Sequence, residues 1–339
     1  MSVPKLLGTA LVSLVLLALA ESRSKPNRDL QVLFERFHAA IKLDEHDERL
    51  KLRTKREILL KALKKRLAVH SLEFESFDQG SYAMRTGVVP KDGNYDIDVG
   101  LIFDCSLERF PNPVSLKTLV HDGLAGSNRT VAIRRACVTV TYFRDGVPDY
   151  HVDLAVYLRK PDGHLVLGKG RKYSEAEKCE WVPSAPKELT QFILSKFDGE
   201  EQAQYRRCIR YLKRWRDENF NAGAPLSIAL TVAAALWFEP KRAADETFAD
   251  LDAILALVKT MQRKFGNNFD LGRLSVPLPG VRKIDLMSGL TSGQMSVFKE
   301  RLDCLKDALS KCYAVDSTAD ADRILRSQFG PEFPLSEVV

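Results

Sequence analysis

Residues 79–103 read QGSYAMRTGVVPKDGNYDIDVGLIF. The last nine residues alternate between polar and apolar, which predicts a strand over 95–103 with one face in the core. Asp96 and Asp98 lie two positions apart and therefore on the same face of that strand. Neighbouring carboxylates repel each other, so this face predicts a site for a cation. The apolar face carries Ile97, Val99, Leu101 and Phe103, and Gly100 lies with the two aspartates.

Three more strands are predicted around this one. FESFDQGSY (74–82) is interpreted as a strand that leads into a turn. ACVTVTYF (136–143) and YHVDLAVYL (150–158) are interpreted as a hairpin, because the Asp-Gly pair in the intervening RDGVPD is a strong turn signal. In the last strand, Asp153 lies on the face opposite to Val152 and Leu154. We expect an antiparallel or mixed sheet.

Helical spacing of apolar residues predominates on both sides of these strands. No proline interrupts Asp29 to His70, so one or two long helices are predicted there. WVPSAP (181–186) is interpreted as a linker in which Ser184 caps a helix that starts near Pro186. The chain is therefore predicted to be α+β, with a sheet-bearing lobe over 28–186 and a helical lobe over 187–339. Helices of the second lobe are predicted at 187–196, 201–219, 226–238, 246–265, 293–313 and 321–328.

Composition places the chain among globular proteins and argues against a small disulfide-stabilised domain or a zinc-binding domain. Its 339 residues are 45% hydrophobic and 28% charged, with a net charge of +6. The stretch YRRCIRYLKRWR (205–216) holds six of the basic residues, which is compatible with an anionic ligand. The six cysteines form no Cys-x-x-Cys pair, so we expect reduced thiols and no structural zinc.

Asp96, Asp98 and Asp153 together predict a magnesium site. Magnesium prefers oxygen ligands and usually completes its shell with waters and substrate phosphates. Two such ions, about 3.5–4 Å apart, can clamp the attacking and leaving oxygens of a phosphoryl displacement. Gly80 and Ser81 fit the same site, because a glycine lets the backbone approach a phosphate closely and a serine can donate to it. The alternative is that the three acids line the solvated face of an antiparallel sheet.

These residues resemble the DNA polymerase β-like nucleotidyltransferase superfamily, whose signature is Gly-Ser, then Asp-x-Asp, then a third strand acid. FDQGSYAMRTGV, NYDIDVGLIF, YHVDLAVY and ILRSQFGPEFP look like bacterial CD-NTases, the cGAS/DncV-like nucleotidyltransferases of CBASS antiphage systems. AAIKLDEHDERLKLRTKREILL resembles the long N-terminal helix of the branch that makes cyclic trinucleotides and often accompanies HORMA-domain partners. The resemblance spans about Asp29 to Pro334.

The resemblance implies a role for each matching position. Asp96 and Asp98 would be ligands of two Mg²⁺ ions, with Mn²⁺ as an alternative metal. Asp153 would bind the ion that lowers the pKa of the attacking ribose hydroxyl. The residues that match the triphosphate-binding positions are Gln79, Gly80 and Ser81 in the first lobe and Lys213 and Ser227 in the helical lobe.

The residues of the helical lobe also allow other interpretations. On a helix, Arg206, Arg210 and Lys213 form a basic stripe, which for Arg206 and Arg210 is more simply explained as a solvated face. Ser227 follows Pro225, so it could equally be an N-terminal cap. His151 is interpreted as structural.

The resemblance implies a magnesium-dependent enzyme that joins ATP, with other nucleoside triphosphates as further substrates, into a cyclic oligonucleotide, and we expect cyclic tri-AMP. The alternatives are template-independent RNA tailing, modification of a protein, and a catalytically silent nucleotide-binding module. Expected partners are a HORMA-domain activator and an effector that binds the product. An activating nucleic acid is a further alternative.

Residues 1–27 form a hydrophobic leader that we place outside the enzyme fold. MSVPKLLGTALVSLVLLALAES has the layout of a secretory signal peptide, with Ala18-Leu19-Ala20 at a cleavage position. Export would separate an ATP-using enzyme from its substrate. We therefore favour a membrane anchor or an extension upstream of the true start, and expect a cytoplasmic enzyme.

Overall fold

The chain divides into two compact units in the computed structural model. The sheet unit combines Lys42–Lys196 with Pro277–Asp285, and the helical unit combines the residues up to Ile41 with Phe197–Val276 and Leu286–Val339. The architecture is α+β with a mixed sheet, as predicted. The structure describes residues 30–43, 47–93, 95–126, 129–265, 272–281 and 284–336.

Seven strands form the sheet, in the order β1-β2-β5-β4-β3, with β6 paired to β5 and β7 paired to β6. β2 and β5 run parallel and the other pairs are antiparallel. The strand predicted over 95–103 is observed with the same bounds. Of the two predicted alternatives, an antiparallel or a mixed sheet, the structure shows the mixed one. The strands are β1 (Phe74–Asp78), β2 (Tyr95–Phe103), β3 (Arg129–Ile133), β4 (Val138–Arg144), β5 (Val147–Arg159), β6 (Leu165–Lys169) and β7 (Glu180–Ser184).

The predicted hairpin is confirmed as β4 and β5. Its register ends at Arg144 opposite Val147, which leaves Asp145 and Gly146 as a two-residue loop. Both loop residues have positive φ, 53° and 79°, as the tight hairpin turn requires. This turn, together with a one-residue shift of register between Tyr142 and Phe143, sets which residues of β4 lie beside the acids of β5.

The apolar face of the sheet packs against two helices to form the core of the sheet unit. The helices are α2 (Asp47–Leu67) and α4 (Pro113–Leu124), and a short helix α3 (Gly80–Ala83) and α5 (Pro186–Leu194) complete the unit. Val99, Leu101 and Leu154 are at most 1% exposed in this core. The helices contribute Leu59, Leu63, Leu67, Leu116, Val120 and Leu124.

The predicted linker at WVPSAP is wrong over residues 180–184, which form the edge strand β7. The indole of Trp181 donates to the Phe110 carbonyl at 2.8 Å, which anchors the strand. Pro183 is tolerated because an edge strand can leave a backbone N–H position unused. The predicted cap by Ser184 is also wrong, since Ala185 holds the N-cap position of α5 without a side-chain cap.

The helical unit contains the predicted helices from 201–219 onward, with small shifts at their ends. The largest shift is in the helix predicted at 246–265, which begins at Asp250. The predicted lobe boundary at 186/187 differs from the observed division at three segments. The segment 30–41 belongs to the helical unit, whereas α5 and Pro277–Asp285 belong to the sheet unit. The helices are α1 (30–41), α6 (Gly199–Asn219), α7 (Ser227–Trp237), α8 (Asp250–Lys264), α9 (Ser292–Lys311) and α10 (Thr318–Phe329).

Aromatic packing explains why helix α1 belongs to the helical unit. Phe34 and Phe37 of α1 are fully buried, and their ring centroids lie 5.2 and 5.5 Å from that of Tyr211 in α6. Phe333, after α10, lies 5.3 and 5.0 Å from the same two phenylalanines. Large aromatic side chains dominate the energy of such a core. This aromatic cluster comprises Phe34, Phe37, Tyr211, Phe329 and Phe333.

A buried carboxylate, Asp250, fixes the start of α8 against its neighbours. Its two oxygens accept from the Arg207 guanidinium at 2.6 and 2.8 Å, and one also accepts from the Tyr211 hydroxyl at 2.8 Å. Its backbone N–H donates to Oε1 of Gln31 in α1 at 2.8 Å. A buried charge with this many partners specifies how α1, α6 and α8 fit together.

Two other sequence predictions concern the leader and the cysteines. The leader lies outside the described residues, and no helix within the part of the chain that the structure describes could span a membrane. All six cysteines are free, and Cys208 and Cys312 are buried, which fits reduced thiols used as small apolar residues.

A buried ammonium, Lys117, ties α4 to the turn before β4. Its side chain is 0% exposed, and Nζ donates to the carbonyls of Arg134, Arg135 and Gly170 at 2.6, 3.0 and 2.7 Å. Burial lowers the pKa of Lys117 to about 8, so the group still carries its charge at neutral pH. Three acceptors match the three donors of an ammonium.

We expect Lys117→Met to lower the free energy of unfolding by about 1–3 kcal/mol, because the buried Gly170 carbonyl loses its partner. Urea unfolding of the variant measures the effect. The exposed Lys65 of α2 provides a control, since Lys65→Met should change stability by less than about 0.5 kcal/mol. Equal stability of the two variants would show that water replaces the ammonium at no cost.

Candidate active site on the polar face of the sheet

The three predicted acids lie together on the face of the sheet opposite to the core. In the parallel pairing of β2 with β5, Asp98 is the register partner of Asp153, and Asp96 is the partner of His151. Neighbouring strands lie about 4.8 Å apart, so the side chains of register partners are adjacent. Asp96 is exposed, and Asp98 and Asp153 are half-buried.

The antiparallel pairing of β4 with β5 extends this polar face by one strand. Thr139 is the partner of Asp153, and Thr141 is the partner of His151. Polar side chains therefore form two rows across three strands, because register partners share a face. One row consists of Asp98, Asp153 and Thr139, and the other of Asp96, His151 and Thr141.

The turn after β1 brings Gly80 against Asp98. The N–H of Gln79 donates to the Asp98 carbonyl at 3.1 Å, which holds the turn on β2. Gly80 has a φ of +68°, and a Cβ built on it would lie 1.9 Å from Oδ2 of Asp98. The position therefore accepts glycine alone, both for its backbone conformation and for the space available. The predicted Gly-Ser turn and the predicted aspartates are thus brought together.

Gln79 is oriented by a buried tyrosine of β5. The Tyr157 hydroxyl donates to Oε1 of Gln79 at 2.9 Å. Tyr157 is 4% exposed, and burial raises the pKa of its hydroxyl, with the nearby Asp98 carboxylate acting in the same direction. Because the amide oxygen accepts from a phenol that stays protonated, the amide Nε2 is left as the donor that Gln79 can offer to a ligand.

Sequence reasoning missed Thr139 and Tyr157. The Thr139 hydroxyl donates to Oδ1 of Asp153 at 2.6 Å. The alternation of threonine and valine in VTVT (138–141) is a signal that one face of β4 is polar, but it does not say which strand that face adjoins.

The donor set suits a hard divalent cation, although the acids are not gathered around a single point. Carboxylate oxygens are the ligands that Mg²⁺ and Mn²⁺ prefer. Over the described ranges, the structure shows no group of three His, Cys, Asp or Glu side chains arranged to hold one ion. Such spacing is compatible with magnesium, which commonly takes a few carboxylates and draws its other ligands from water and phosphate.

Lys213 and Ser227, the other predicted nucleotide-binding residues, lie in the helical unit. Lys213 is on α6 and 4% exposed, so it is not part of a solvated face. The solvated face expected for Arg210 is wrong, since Arg210 is 5% exposed and Nη1 lies 3.1 Å from Nε2 of His38 in α1. Ser227 is the first residue of α7 and Leu226 holds the N-cap position, so the interpretation of Ser227 as the cap does not hold.

Residues 74–157, from β1 through most of β5, match the family model of the DncV-like nucleotidyltransferase domain, described as that of cyclic GMP-AMP synthase. This segment is a DncV-like nucleotidyltransferase domain. The match contains the Gly-Ser turn and all three aspartates. The predicted resemblance to cGAS/DncV-like nucleotidyltransferases is thereby confirmed for this segment, whereas the HORMA-associated branch stays a prediction.

Solved structures of bacterial CD-NTases share the fold over most of the chain. CdnG of Bradyrhizobium diazoefficiens, solved in complex with GTP, is 16% identical with a TM-score of 0.68, over 89% of this chain and 95% of that one. DncV of Vibrio cholerae, a cyclic AMP-GMP synthase, is 18% identical with a TM-score of 0.61, over 95% and 91%. DncV with the linear intermediate 5′ pppA(3′,5′)pG is 17% identical with a TM-score of 0.59, over 95% and 92%. The polymerase β-like fold predicted for the chain is confirmed.

We expect Gly80→Ala to destabilise the DncV-like domain, because the new Cβ overlaps the Asp98 carboxylate. Gly93 is the matched control, since it has a φ of +69° and no atom within 4 Å of the place that an added methyl group would take. Gly93→Ala carries the backbone cost of about 1 kcal/mol alone, and Gly80→Ala should cost about 1–3 kcal/mol more. Denaturant unfolding compares them, and equal losses would mean that Asp98 moves aside freely.

Proposed function

We propose that this protein is a magnesium-dependent nucleotidyltransferase that joins nucleoside triphosphates into a cyclic oligonucleotide, cyclic tri-AMP, as a signal in antiphage defence. The observation that carries the proposal is the parallel register of Asp98 with Asp153, with Asp96 on the same face and the Gly80 turn against Asp98. Three carboxylates on one face, beside a turn that excludes any side chain, support a site for cations and phosphates.

Asp96 and Asp98 would hold both ions, and Asp153 would hold one of them. Bound Mg²⁺ lowers the pKa of the attacking ribose hydroxyl and neutralises charge on the phosphates. The protein itself keeps the carboxylates adjacent by fixing their strands in register. A dedicated base is not needed in this scheme, so His151 is left without a proton-transfer role.

The triphosphate would be bound by donors that follow β1. Gln79 offers its amide Nε2, because its oxygen is already occupied by Tyr157. Gly80 allows close approach of the backbone, and Ser81 offers its hydroxyl. In the helical unit, Lys213 and Ser227 are proposed to contact phosphates and to leave the choice of base to other residues.

Cyclisation is favoured over the other nucleotidyltransferase activities by the extent of the fold match. The chain covers nearly the whole of CdnG and DncV, helical unit included. RNA tailing calls for a basic RNA-binding surface, and two of the basic residues in the α6 segment, Arg210 and Arg214, are buried. A silent nucleotide-binding module has no need of three neighbouring carboxylates, which repel each other without a cation.

The same proposal includes partners and location. A HORMA-domain activator follows from the resemblance of the N-terminal helix to the cyclic-trinucleotide branch, and an effector that binds the product would complete the pathway. A cytoplasmic location, where ATP is available, goes with this activity.

Incubation of the purified protein with radiolabelled ATP, GTP, CTP or UTP and Mg²⁺ tests the function. Phosphatase treatment followed by chromatography then separates the hypotheses. A phosphatase-resistant product that co-migrates with cyclic tri-AMP supports the proposal. Linear products of increasing length on an added RNA support tailing, and label on a protein supports protein modification.

We expect Asp96→Asn with Asp98→Asn to abolish product formation and leave the protein folded, or slightly more stable, because like-charge repulsion is removed. Asp104→Asn is the control, since Asp104 follows the same strand at its far end and pairs with Arg159. Product formation by the double variant at the rate of the wild type would end the metal proposal.

We expect Tyr157→Phe to raise the KM for ATP about fivefold with little change in kcat, because one neutral hydrogen bond contributes about 1 kcal/mol and orients Gln79. Tyr150→Phe is the control, because Tyr150 lies on β5 with its ring on the core side. A fall in kcat at constant KM would place Tyr157 with the reacting groups instead of with substrate binding.

A further inference from the structure

We infer that Thr139 is a positioning residue that aims the Asp153 carboxylate, so that one of its oxygens is reserved for a divalent cation. The inference rests on the proposed function, because it concerns how a proposed metal ligand is held. Thr139 and Asp153 are register partners on β4 and β5, and the Thr139 hydroxyl donates to Oδ1 of Asp153 at 2.6 Å.

The short distance and the burial of Thr139 make this contact a strong one. Hydrogen bonds to a carboxylate are shorter and about twice as strong as those between neutral groups. Thr139 is 8% exposed, so water competes weakly for its hydroxyl. With Oδ1 occupied, the carboxylate cannot rotate without losing the bond, and Oδ2 is the oxygen left for a ligand.

A thiol on the same strand sets the direction of the Thr139 hydroxyl. Sγ of Cys137 lies 3.6 Å from Oγ1 of Thr139. Because the single proton of the Thr139 hydroxyl is donated to Asp153, the thiol is the donor at its contact with Oγ1. The order of donation is therefore Cys137 to Thr139 to Asp153.

The position of Cys137 is itself held by a buried charge. The Lys117 ammonium binds the carbonyls of Arg134 and Arg135 just before this cysteine, and the Arg134 N–H donates to the Cys137 carbonyl at 2.9 Å. The start of β4 is thus fixed from the side of α4. A threonine held in this way has little freedom to follow a displaced carboxylate.

Direct binding of Mn²⁺ tests the inference without relying on turnover. Titration of the full-length protein with Mn²⁺ alone, followed by the loss of the electron paramagnetic resonance signal of the free ion, gives a dissociation constant. We expect Thr139→Val to weaken binding about tenfold, because partners of metal ligands typically contribute that much. Thr139→Ser, which keeps the hydroxyl, should bind within about twofold of the wild type.

Thr141→Val is the matched control, since Thr141 lies on the same face of the same strand and pairs with His151 instead of Asp153. It should bind Mn²⁺ as the wild type does. Thr139→Val in an Asp153→Asn background should add no further loss, because the carboxylate that the threonine aims is gone. Unfolding midpoints of all variants establish whether each is folded. If Thr139→Val does not fold, the Mn²⁺ affinities of Thr139→Ala and Thr139→Ser are compared instead.

The outcomes separate this inference from the function on which it rests. If the wild type binds Mn²⁺ and the Asp96→Asn, Asp98→Asn variant does not, the metal site stands, and equal affinity of Thr139→Val and the wild type then overturns the inference. If the wild type binds no more Mn²⁺ than that double variant, the metal site and the inference both fall. A tenfold loss in Thr139→Val with recovery in Thr139→Ser supports it.

Discussion

The parallel pairing of β2 with β5 is the constraint on which the rest of the sheet unit depends. It places Asp98 beside Asp153 on one face and Val99 beside Leu154 on the other. A slip of one residue would turn the acids of one strand into the core and its apolar residues out to water. The apolar packing of α2 and α4 on the core face therefore fixes the register of the two strands and, with it, the positions of the acids on the opposite face.

A parallel pair needs a long connection, and here that connection supplies both support and chemistry. Between β2 and β5 the chain forms α4, which covers the core face, and then β3 and β4, which extend the sheet on the far side of β5. Lys117 on α4 binds the turn that leads into β4. The connection between β2 and β5, which the parallel pairing requires, thus also places Thr139 of β4 beside Asp153 of β5.

Much of the fold and the acidic part of the site could be predicted, because both depend on local periodicity. Asp96, Asp98 and Asp153 are visible as polar positions in strands that alternate, and α6 and α9 as apolar stripes. β7 was missed because Pro183 and a run of mixed residues hide an edge strand, and Ser184 in front of Pro186 imitates a cap.

Thr139 and Tyr157 were missed for a different reason. Their hydrogen-bond partners lie on other parts of the chain, and alternation within one strand does not tell which residues of another strand lie opposite to it. Burial of Arg210 was missed because a basic stripe has the same pattern whether it is solvated or lies against another helix.

The aromatic cluster of the helical unit has a consequence for how the chain is made. Phe34 and Phe37 leave the ribosome long before Phe329 and Phe333, with which they pack. The sheet unit is almost continuous along the chain, from Lys42 to Lys196, and most of it can form during synthesis. Helix α1 must therefore remain without these two partners while some 290 further residues are added, and this part of the helical unit packs only after the sheet unit has been synthesised.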